Sequence, residues 1–405
     1  MIVRRSAAVL AAVAVIGAAA PAAAAPSPSP SRPALPSALY GESDPQYDGV
    51  WRQSLALLAQ HTAGVAPPKA AVDWLTGQQC ADGSFAPYRA DTAKACDATT
   101  TVDTNQTAAA VQALAALGGR DTVTDKAVGW LKSVQNKDGG WGYVAGGASD
   151  TNSTSVVVGA LAATGEKPAE VKKDGKSPYD ALLGLTLPCK GDGAGAFAFQ
   201  PGKKGELTAN ADATAAGVLG SLGAGLAAGP GKGGQADAAC AEADSPEQAA
   251  ANGAAYLTDA LAEGGHLVSA LPGAEDQPDY GNTADAVVAL AAQGSTEQAR
   301  TSAAWLEKNA AGWAAQSGPA AYAQLILAAH ATGADPRAFG GTDLVERLTA
   351  TGPAPEKTTA TEKADEEKKD DSGPGFGVWW FVGVCLIAGI GIGFLFSGRA
   401  KKRQP

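Results

Sequence analysis

Two polar triplets recur in this sequence, and each lies at the predicted start of a helix. Asp103-Thr104-Asn105 and Asp150-Thr151-Asn152 both precede apolar runs that end in a similar Ala-Leu pair. The first turn of a helix has backbone N–H groups without an intrahelical partner and about half a positive charge. Donor and acceptor side chains at that place could bind an anionic or amide-rich ligand.

The same residue types recur at two later helix starts. We favour capping alone, because Ser, Thr, Asp and Asn predominate at the N-cap in any protein. The recurrence of Asn at one spacing before a closing Gly is the observation that supports a ligand, since Ser or Asp would cap equally well. That spacing joins Asn105 to Gly118, Asn152 to Gly165, and Asn210 to Gly223. The candidate ligand-binding residues are Asp103, Thr104, Asn105, Asp150, Thr151, Asn152, Asn210, Asp212, Tyr280 and Asn282.

Six aromatic residues fall in predicted loops near the same helix ends, where their rings could stack on a flat ligand. They could instead pin neighbouring helices together. We favour this structural role for Trp141 and Trp313, because both belong to a repeated Gly-aromatic turn. The six residues are Trp141, Tyr143, Phe197, Phe199, Tyr280 and Trp313.

A repeated unit positions the polar triplets, and residues 125–165 show it most clearly. A first helix ends at Gly139-Gly140, since Gly takes the positive φ that terminates helices. Trp141 follows in a turn, and a second helix begins after Asp150. This helix–turn–helix unit recurs about five times, which predicts a repeat architecture.

The two ends of the repeat region predict how the units close. Residues 48–64 predict a helix with no partner before it, and residues 341–351 predict one with no partner after it. If each repeat supplies one outer and one inner helix, these two complete the set. We therefore predict an all-α fold, an α6/α6 toroid closed by about six inner and six outer helices. A linear solenoid is the alternative, but solenoids usually have polar capping repeats, and the sequence shows none.

The predicted inner helices are poor in charged residues. Runs such as 107–117 and 155–163 contain no charge, which is typical of helices buried on most sides. The predicted outer helices carry the charges, including Lys132 and Glu307. We expect inner helices at residues 48–64, 104–117, 151–164, 209–222, 283–292 and 320–332, and outer helices at 68–79, 124–135, 179–187, 246–261, 297–309 and 341–351.

The repeat resembles those of a known superfamily. The Gln-x-x-Asp-Gly-Gly-Trp-Gly pattern from Gln135 to Gly142 is similar to the prenyltransferase/squalene-oxidase repeat of terpenoid cyclases and protein prenyltransferase β subunits. This resemblance implies an α/α toroid over residues 40 to about 351. The inner-helix pattern in residues 103–114 and 150–161 is similar to the α-barrel domain of transcobalamin and intrinsic factor, the vitamin B12 carriers. One fold hosts unrelated chemistries, so both resemblances bear on fold more than on activity.

The catalytic motifs of that superfamily do not match this sequence. The Asp-x-Asp-Asp acid of squalene and hopene cyclases is absent from the repeat region, and aromatic residues are only 6%, few for carbocation stabilisation. His61, His266 and His330 are far apart, so an Asp/Cys/His zinc site is not indicated. The Cys-Gly-Glu-Gln run of related thioester domains is absent too. We expect no catalytic residues and no metal ligands, and whether the chain is an enzyme stays open.

A binding protein is the interpretation that remains. The resemblance to transcobalamin implies capture of a corrinoid-like molecule, with cobalamin as the candidate ligand, for a membrane transporter. Transcobalamin holds its ligand against a second, β-rich domain, so here either a separate β-rich chain supplies that part or the ligand differs. Two alternatives stay open: a secreted enzyme like terpene cyclases or prenyltransferases with nonstandard catalytic residues, and a cell-envelope scaffold without a small ligand.

Four cysteines are expected to form disulfides. Cys80 and Cys96 share one predicted loop, whereas Cys189 follows the predicted outer helix 179–187 and Cys240 follows the predicted inner helix 209–222. Four cysteines allow three pairings, and we predict the two local ones, Cys80 with Cys96 and Cys189 with Cys240. A cysteine metal site is disfavoured because there is no Cys-x-x-Cys. Disulfides are typical of an exported protein.

The flanks of the repeat region predict a single-pass membrane protein with an extracytoplasmic domain. Arg4, Arg5 and the apolar run after them predict a signal peptide, and residues 378–396 are apolar enough to span a bilayer. Basic residues after that run predict a cytoplasmic tail. A net charge of −10 argues against nucleic acid as a partner. The expected segments are a signal peptide (1–25), a Pro/Ser-rich leader (26–39), the toroid domain (40–352), a disordered stalk (353–375), a transmembrane helix (376–397) and a basic tail (398–405).

Overall fold

The computed structural model describes residues 35–231, 240–270 and 276–355. The predicted signal peptide, transmembrane helix and basic tail, with most of the leader and stalk, lie outside these residues. Within the described ranges, no helix combines the length and apolar character needed to cross a bilayer.

Helices dominate the described residues, so the mostly helical fold predicted from the sequence is confirmed. A 3₁₀ turn covers Pro168–Glu170, and the strands β1 (Leu267–Val268) and β2 (Pro278–Asp279) form a small antiparallel pair. The α-helices are α1 (Gly49–Thr62), α2 (Lys69–Gly77), α3 (Thr104–Leu117), α4 (Asp121–Ser133), α5 (Thr151–Ala163), α6 (Pro178–Leu183), α7 (Ala211–Ser221), α8 (Pro246–Leu261), α9 (Tyr280–Gln293), α10 (Thr296–Asn309), α11 (Ala311–Ser317), α12 (Pro319–Thr332) and α13 (Leu344–Thr349).

Six helices are buried along most of their length and pack on one another in chain order. Helix α1 packs on α3, α3 on α5, α5 on α7, α7 on α9, and α9 on α12, and α12 packs on α1. These are the six helices predicted to be inner. The others pack against this set: α2 on α1, α4 on α3, α6 on α5, α8 on α7, α10 on α9, and α11 and α13 on α12. Helix α2 buries only Ala71, Val72 and Leu75, as expected for a helix with one face in solvent.

One predicted outer helix and one predicted turn differ from the structure. Helix α6 ends at Leu183, four residues before the predicted end at 187, because residues 185–187 leave the helix and pair with the segment around Phe197. A Gly-aromatic turn was predicted at Gly312-Trp313, but these residues lie inside helix α11. The Ala residues around them favour a helix, and Gly318 ends it with φ +82°.

The repeat motif joins each outer helix to the next repeat. Gln135 Nε2 donates to the carbonyl oxygens of Gly139 (2.8 Å) and Val171 (3.2 Å), which links the turn to the following outer segment. Gly139 has φ +91°, and a Cβ there would lie 2.1 Å from the carbonyl oxygen of Ser177. Only glycine therefore fits this position, which explains why the motif repeats it.

A threonine in the first turn of four inner helices holds the preceding turn. The hydroxyl of Thr107 donates to the N-cap carbonyl of Asp103 at 2.7 Å and accepts from the buried backbone N–H of Phe85 at 3.0 Å. Each such hydroxyl satisfies a turn N–H that is otherwise buried without a partner. The N–H···Oγ1 pairs are Phe85 with Thr107, Trp141 with Thr154, Phe197 with Thr214, and Leu267 with Thr283.

We expect Thr107→Val to lower the free energy of unfolding by about 1–3 kcal/mol, because valine keeps the shape and leaves the buried Phe85 N–H unpaired. Urea unfolding of the purified chain measures the change. Thr164→Val is the matched control, since its hydroxyl bonds only carbonyls of its own helix, and we expect a change below about 0.5 kcal/mol. Equal losses in the two variants would contradict the role of the hydroxyl.

The two ends of the helical body meet. The N–H of Gly41 donates to the carbonyl oxygen of Thr351 at 2.8 Å, and the hydroxyl of buried Tyr40 donates to Gln60 Oε1 at 3.0 Å. Gly352 lies flat on the Tyr40 ring, where an added Cβ would come within 2.3 Å of a ring carbon. The segment before α1 is thereby fixed to the segment after α13.

Both predicted disulfides are confirmed. Cys80 bonds Cys96 across the loop after α2, and Cys189 bonds Cys240 between the segments after α6 and before α8. Each bond closes an irregular segment of the chain, which limits the freedom of the unfolded state.

Candidate functional site

The predicted helix starts are N-caps. The carboxylates of Asp103 and Asp150 accept from the N–H groups of Gln106 and Ser153, each at 2.7 Å. Asn210 caps α7 through Ala213 N, also at 2.7 Å. Burial raises the pKa of Asp103 to about 6 and also raises the pKa of Asp150. These residues cap helices as the simpler interpretation predicts.

The alignment of Asn210 with Asn105 and Asn152 is wrong. Asn105 and Asn152 occupy the second residue of α3 and α5, and Asp212 is the second residue of α7. Asn210 lies at the N-cap, two residues earlier. The error arose because α7 is shorter than α3 and α5, so counting back from the closing Gly shifts the register by two residues.

A cavity of about 220 Å³ lies among α1, α3, α5, α7, α9 and α12, and each of these helices contributes to its wall. Apolar side chains cover part of the wall, and polar side chains form the rest. The polar lining residues are Asn105, Gln112, Asn152, Ser155, Asp212, Asp285 and Gln324, and the larger apolar ones are Trp51, Leu55, Val156, Leu219, Leu226, Val288 and Leu327.

Two carboxyl groups occupy this wall. Asp212 Oδ2 accepts from Asn152 Nδ2 at 2.9 Å, and Asp285 accepts from Gln324 Nε2 at 3.1 and 3.3 Å. Burial, with a smaller contribution from the charge of Asp212, raises the pKa of Asp285 to about 7. Burial also raises the pKa of Asp212, with a contribution from Asp279. The site therefore favours a proton or another positive charge near these carboxylates.

Several wall atoms lack a hydrogen-bond partner among the described residues. They are the amide oxygens of Asn105 and Asn152 and the hydroxyl of Ser155, all buried. Because buried polar atoms are normally paired, a donor group on a bound molecule would supply the partner that these atoms lack. An amide oxygen only accepts, so the molecule must donate.

The charged side chains of the cavity wall are all acidic. Its charged residues in the described part of the chain are the two aspartates, with no Lys or Arg among the lining side chains. The described residues also contain no group of three or more His, Cys, Asp and Glu side chains placed to hold a metal ion. A cationic ligand would find acceptors here, whereas an anionic ligand would meet like charge.

The cavity is closed on one side by the segment after α7. The amide of Gln112 donates to Val156 O at 2.9 Å and accepts from Leu226 N at 2.8 Å. Gly159 and Gly225 have no side chains, and a Cβ on Gly159 would lie 2.8 Å from the Gly225 Cα. This close approach lets the backbone at 224–226 form part of the wall.

The other predicted site residues lie outside the cavity wall. The backbone N–H groups of Thr104 and Thr151 donate to the carbonyl oxygens of Tyr143 and Phe199, each at 2.9 Å. These two N–H groups therefore already have hydrogen-bond partners. Asn282 Nδ2 bonds the carboxylate of Asp279 at 2.8 Å. Of the ten candidate residues, the wall contains Asn105, Asn152 and Asp212.

The predicted stacking residues divide into three groups. Trp141 and Phe197 are buried, and Trp141 Nε1 donates to Leu131 O at 2.7 Å, which confirms the structural role predicted for this tryptophan. Tyr280 begins α9 rather than lying in a loop, and its ring stacks on Trp305 (5.3 Å) and Trp313 (5.6 Å). Tyr143 and Phe199 are exposed. The buried rings and Tyr280 are therefore occupied by protein partners.

The sequence reasoning missed Asp285, Gln324, Gln112 and Trp51. A usable signal existed for Asp285, which is a lone charge in the apolar run Thr283–Leu290 of a predicted inner helix. Gln112 and Gln324 are similarly isolated polar residues in apolar helices. A polar side chain in a helix that is buried on all sides needs a partner or a cavity.

Residues 51–182 match the family model for the prenyltransferase alpha-alpha toroid domain. The resemblance to the toroid superfamily drawn from the repeats is thus confirmed.

Among solved structures, the ent-copalyl diphosphate synthase from Streptomyces platensis is similar, with 17% sequence identity and a TM-score of 0.45. The likeness covers 70% of this chain and 50% of that enzyme, so the chain spans about half its length. No curated protein matches the chain.

Proposed function

We propose that this chain is a binding protein whose cavity takes a compact, positively charged molecule with hydrogen-bond donors. One observation carries the proposal: Asn105 Oδ1 and Asn152 Oδ1 are buried acceptors without a partner among the described residues, and their side chains share a wall with two carboxyl groups. An organic ammonium ion supplies both the charge and the donors. The apolar part of the wall suits a hydrocarbon body on that ion.

The proposed cation differs from the anionic ligand that the residues at the helix starts predicted. The N–H groups at those starts are occupied by Asp103, Asp150 and the carbonyl oxygens of Tyr143 and Phe199. They are not free to bind an anion. An amide-rich ligand remains compatible, because amide N–H groups can donate to the asparagine oxygens.

The site requires a ring of inner helices, and we propose a closed α6/α6 toroid. The packing of α12 on α1 and the bond from Gly41 to Thr351 support closure. A linear solenoid would leave the first and last repeats apart.

Capture of a corrinoid-like ligand such as cobalamin, for a membrane transporter or with a separate β-rich chain, remains a proposal that rests on the resemblance to transcobalamin. A cavity of about 220 Å³ suits a smaller molecule or one arm of a large one. Anchoring in the cell membrane, with the helical body outside and a short tail in the cytoplasm, likewise rests on residues outside the described ranges.

A second candidate is an enzyme that protonates an alkene, as in the terpene-cyclase alternative. Asp285, with a pKa of about 7, holds its proton near neutral pH in a partly apolar cavity. Because the wall has no Lys or Arg for a diphosphate and the cavity is small, a short neutral polyprene is the substrate to test. Turnover that is lost in Asp285→Asn would establish this alternative.

The test is a thermal-shift assay on the purified full-length chain. Hexylammonium and its neutral counterpart 1-hexanol are compared, with cobalamin, haem, isoprenoid diphosphates and cell-wall fragments alongside. A ligand at about a hundred times its dissociation constant adds about 2.7 kcal/mol of stability, which raises the melting temperature by several degrees. We expect hexylammonium to raise it and 1-hexanol to leave it within about a degree.

The variant Asp212→Asn should abolish the shift caused by hexylammonium. Asp259→Asn, on the exposed face of α8, is the matched control and should keep that shift. Equal shifts from the amine and the alcohol, or none from the amine in a folded chain, would contradict a cation site. A shift from cobalamin alone would instead support the carrier proposal.

A further inference from the structure

A second depression lies on the surface, away from the cavity between the inner helices. This groove has a volume of about 770 Å³. The loop after α2 forms most of it, together with residues just before α1 and in the turn before α5. We call it the tyrosine groove after Tyr47, Tyr88 and Tyr143, which line it.

Two of these tyrosines are unusually exposed yet fixed at the backbone. Tyr47 is 81% exposed and Tyr143 is 49% exposed. The carbonyl of Tyr47 accepts from Gln106 Nε2 at 3.1 Å, and that of Tyr143 accepts from Thr104 N at 2.9 Å. The backbones of both tyrosines are thus held by the first turn of the buried helix α3. Exposed aromatic rings on a rigid support are typical of binding surfaces.

The floor and far wall of the groove are preorganised. The Cys80–Cys96 disulfide closes the loop. The guanidinium of Arg89 donates to carbonyl oxygens before and after Arg89 in the chain, including those of Gln79 (2.9 Å) and Thr92 (3.2 Å). The ring of Tyr88 stacks on Trp74 at 6.4 Å. A preformed groove loses little entropy when a ligand binds.

The charges in the groove are compensated within the loop. Asp91 pairs with Lys94 at 3.7 Å, and the carboxylate of Asp97 accepts from the N–H (2.9 Å) and hydroxyl (2.6 Å) of Thr99. Hydroxyl and amide groups, among them those of Thr101 and Gln46, complete the lining. Paired charges select against an ionic ligand, whereas mixed donors and acceptors suit a molecule rich in hydroxyls.

We infer that the tyrosine groove binds a neutral oligosaccharide. The C–H faces of sugar rings pack on the exposed tyrosines, and the sugar hydroxyls bond the polar lining. Rings and hydroxyl groups in one groove match the two surfaces of a pyranose, one apolar and one polar. This site is independent of the ligand proposed for the cavity.

The experiment is isothermal titration calorimetry of the full-length chain with three neutral hexasaccharides, of β-1,4-linked glucose, α-1,4-linked glucose and β-1,4-linked N-acetylglucosamine. We expect at least one to bind. Tyr47→Ala should weaken its affinity by about tenfold or more, and Tyr47→Phe by less than about threefold, because stacking needs the ring rather than the hydroxyl.

Phe199→Ala is the matched control, since Phe199 is 41% exposed and does not line the groove. It should leave the affinity unchanged, and Asp285→Asn should as well, which separates the groove from the cavity. The inference is overturned if none of the three hexasaccharides binds the folded chain. It is also overturned if Tyr47→Ala binds as tightly as the unaltered chain, or if Phe199→Ala loses as much affinity.

Discussion

Gly139→Ala is expected to destabilise the protein by about 4 kcal/mol or more, which is enough to unfold many domains. Two separate costs add. Alanine at φ +91° costs about 1–2 kcal/mol, since L-residues avoid this region. Its Cβ would also lie 2.1 Å from the carbonyl oxygen and 2.6 Å from the carbonyl carbon of Ser177, both backbone atoms that cannot move away without shifting α6.

A control separates these costs. Gly165→Ala places the same Cβ at φ +77° with nothing within 4 Å, so only the conformational cost of about 1–2 kcal/mol remains. Gly83 occupies the equivalent turn of the preceding repeat, where a Cβ would lie 2.2 Å from Lys126 O, and Gly83→Ala should behave like Gly139→Ala. Urea unfolding measures all three. Similar losses at Gly139 and Gly165 would show that the turn does not pack as described.

Asp285→Asn is expected to stabilise the protein at pH 7.5 by about 2–4 kcal/mol and to have little effect at pH 4. The pKa of Asp285 is raised from 3.8 to about 7, first by burial and then by the charge of Asp212. The folded state therefore holds a proton that the unfolded state releases. Stability falls as the pH rises from about 4 to about 7, and the uncharged amide removes that loss.

Chemical denaturation at a series of pH values between 4 and 7.5 measures this dependence. The unaltered chain should lose stability across the range, and the slope should be shallower in Asp285→Asn. Asp259→Asn, on the exposed face of α8, is the control and should follow the unaltered chain. A parallel loss of stability in Asp285→Asn and the unaltered chain would show that Asp285 is not buried with a raised pKa.

Local signals were sufficient for much of the fold. The caps Asp103 and Asp150 and the charge-free runs after them place α3 and α5 to within one residue, and the Gly-aromatic turn at Gly139 places α4 to within three. These features depend on hydrogen bonds and backbone conformations within a few residues of one another, so a sequence records them directly. The turn at Gly312 was misassigned because the Ala residues around it favour a helix as strongly as Gly disfavours one.

The candidate site was less predictable, because the cavity depends on contacts between distant helices. Asp212 and Asp285 are 73 positions apart in sequence (285 minus 212), and nothing local shows that α7 and α9 bring them into one wall. The residues at the helix starts were predicted correctly as caps. Asn105, Asn152 and Asp212, in the first turn of their helices, were predicted and line the wall. The prediction did not show that Asp285 and Gln324, further along their helices, line it as well.

The bond between Gly41 and Thr351 has a consequence for how the body comes apart. In a linear repeat array, the terminal repeats fray first, since each has a neighbour on one side only. In the closed toroid that we propose, α1 has α3 on one side and α12 on the other, so neither terminal repeat is a free end. Local unfolding of α1 must therefore break its interfaces with both α3 and α12. Amide protons of α1 and α12 should then exchange with solvent no faster than those of α5, and loss of order should be cooperative throughout the body.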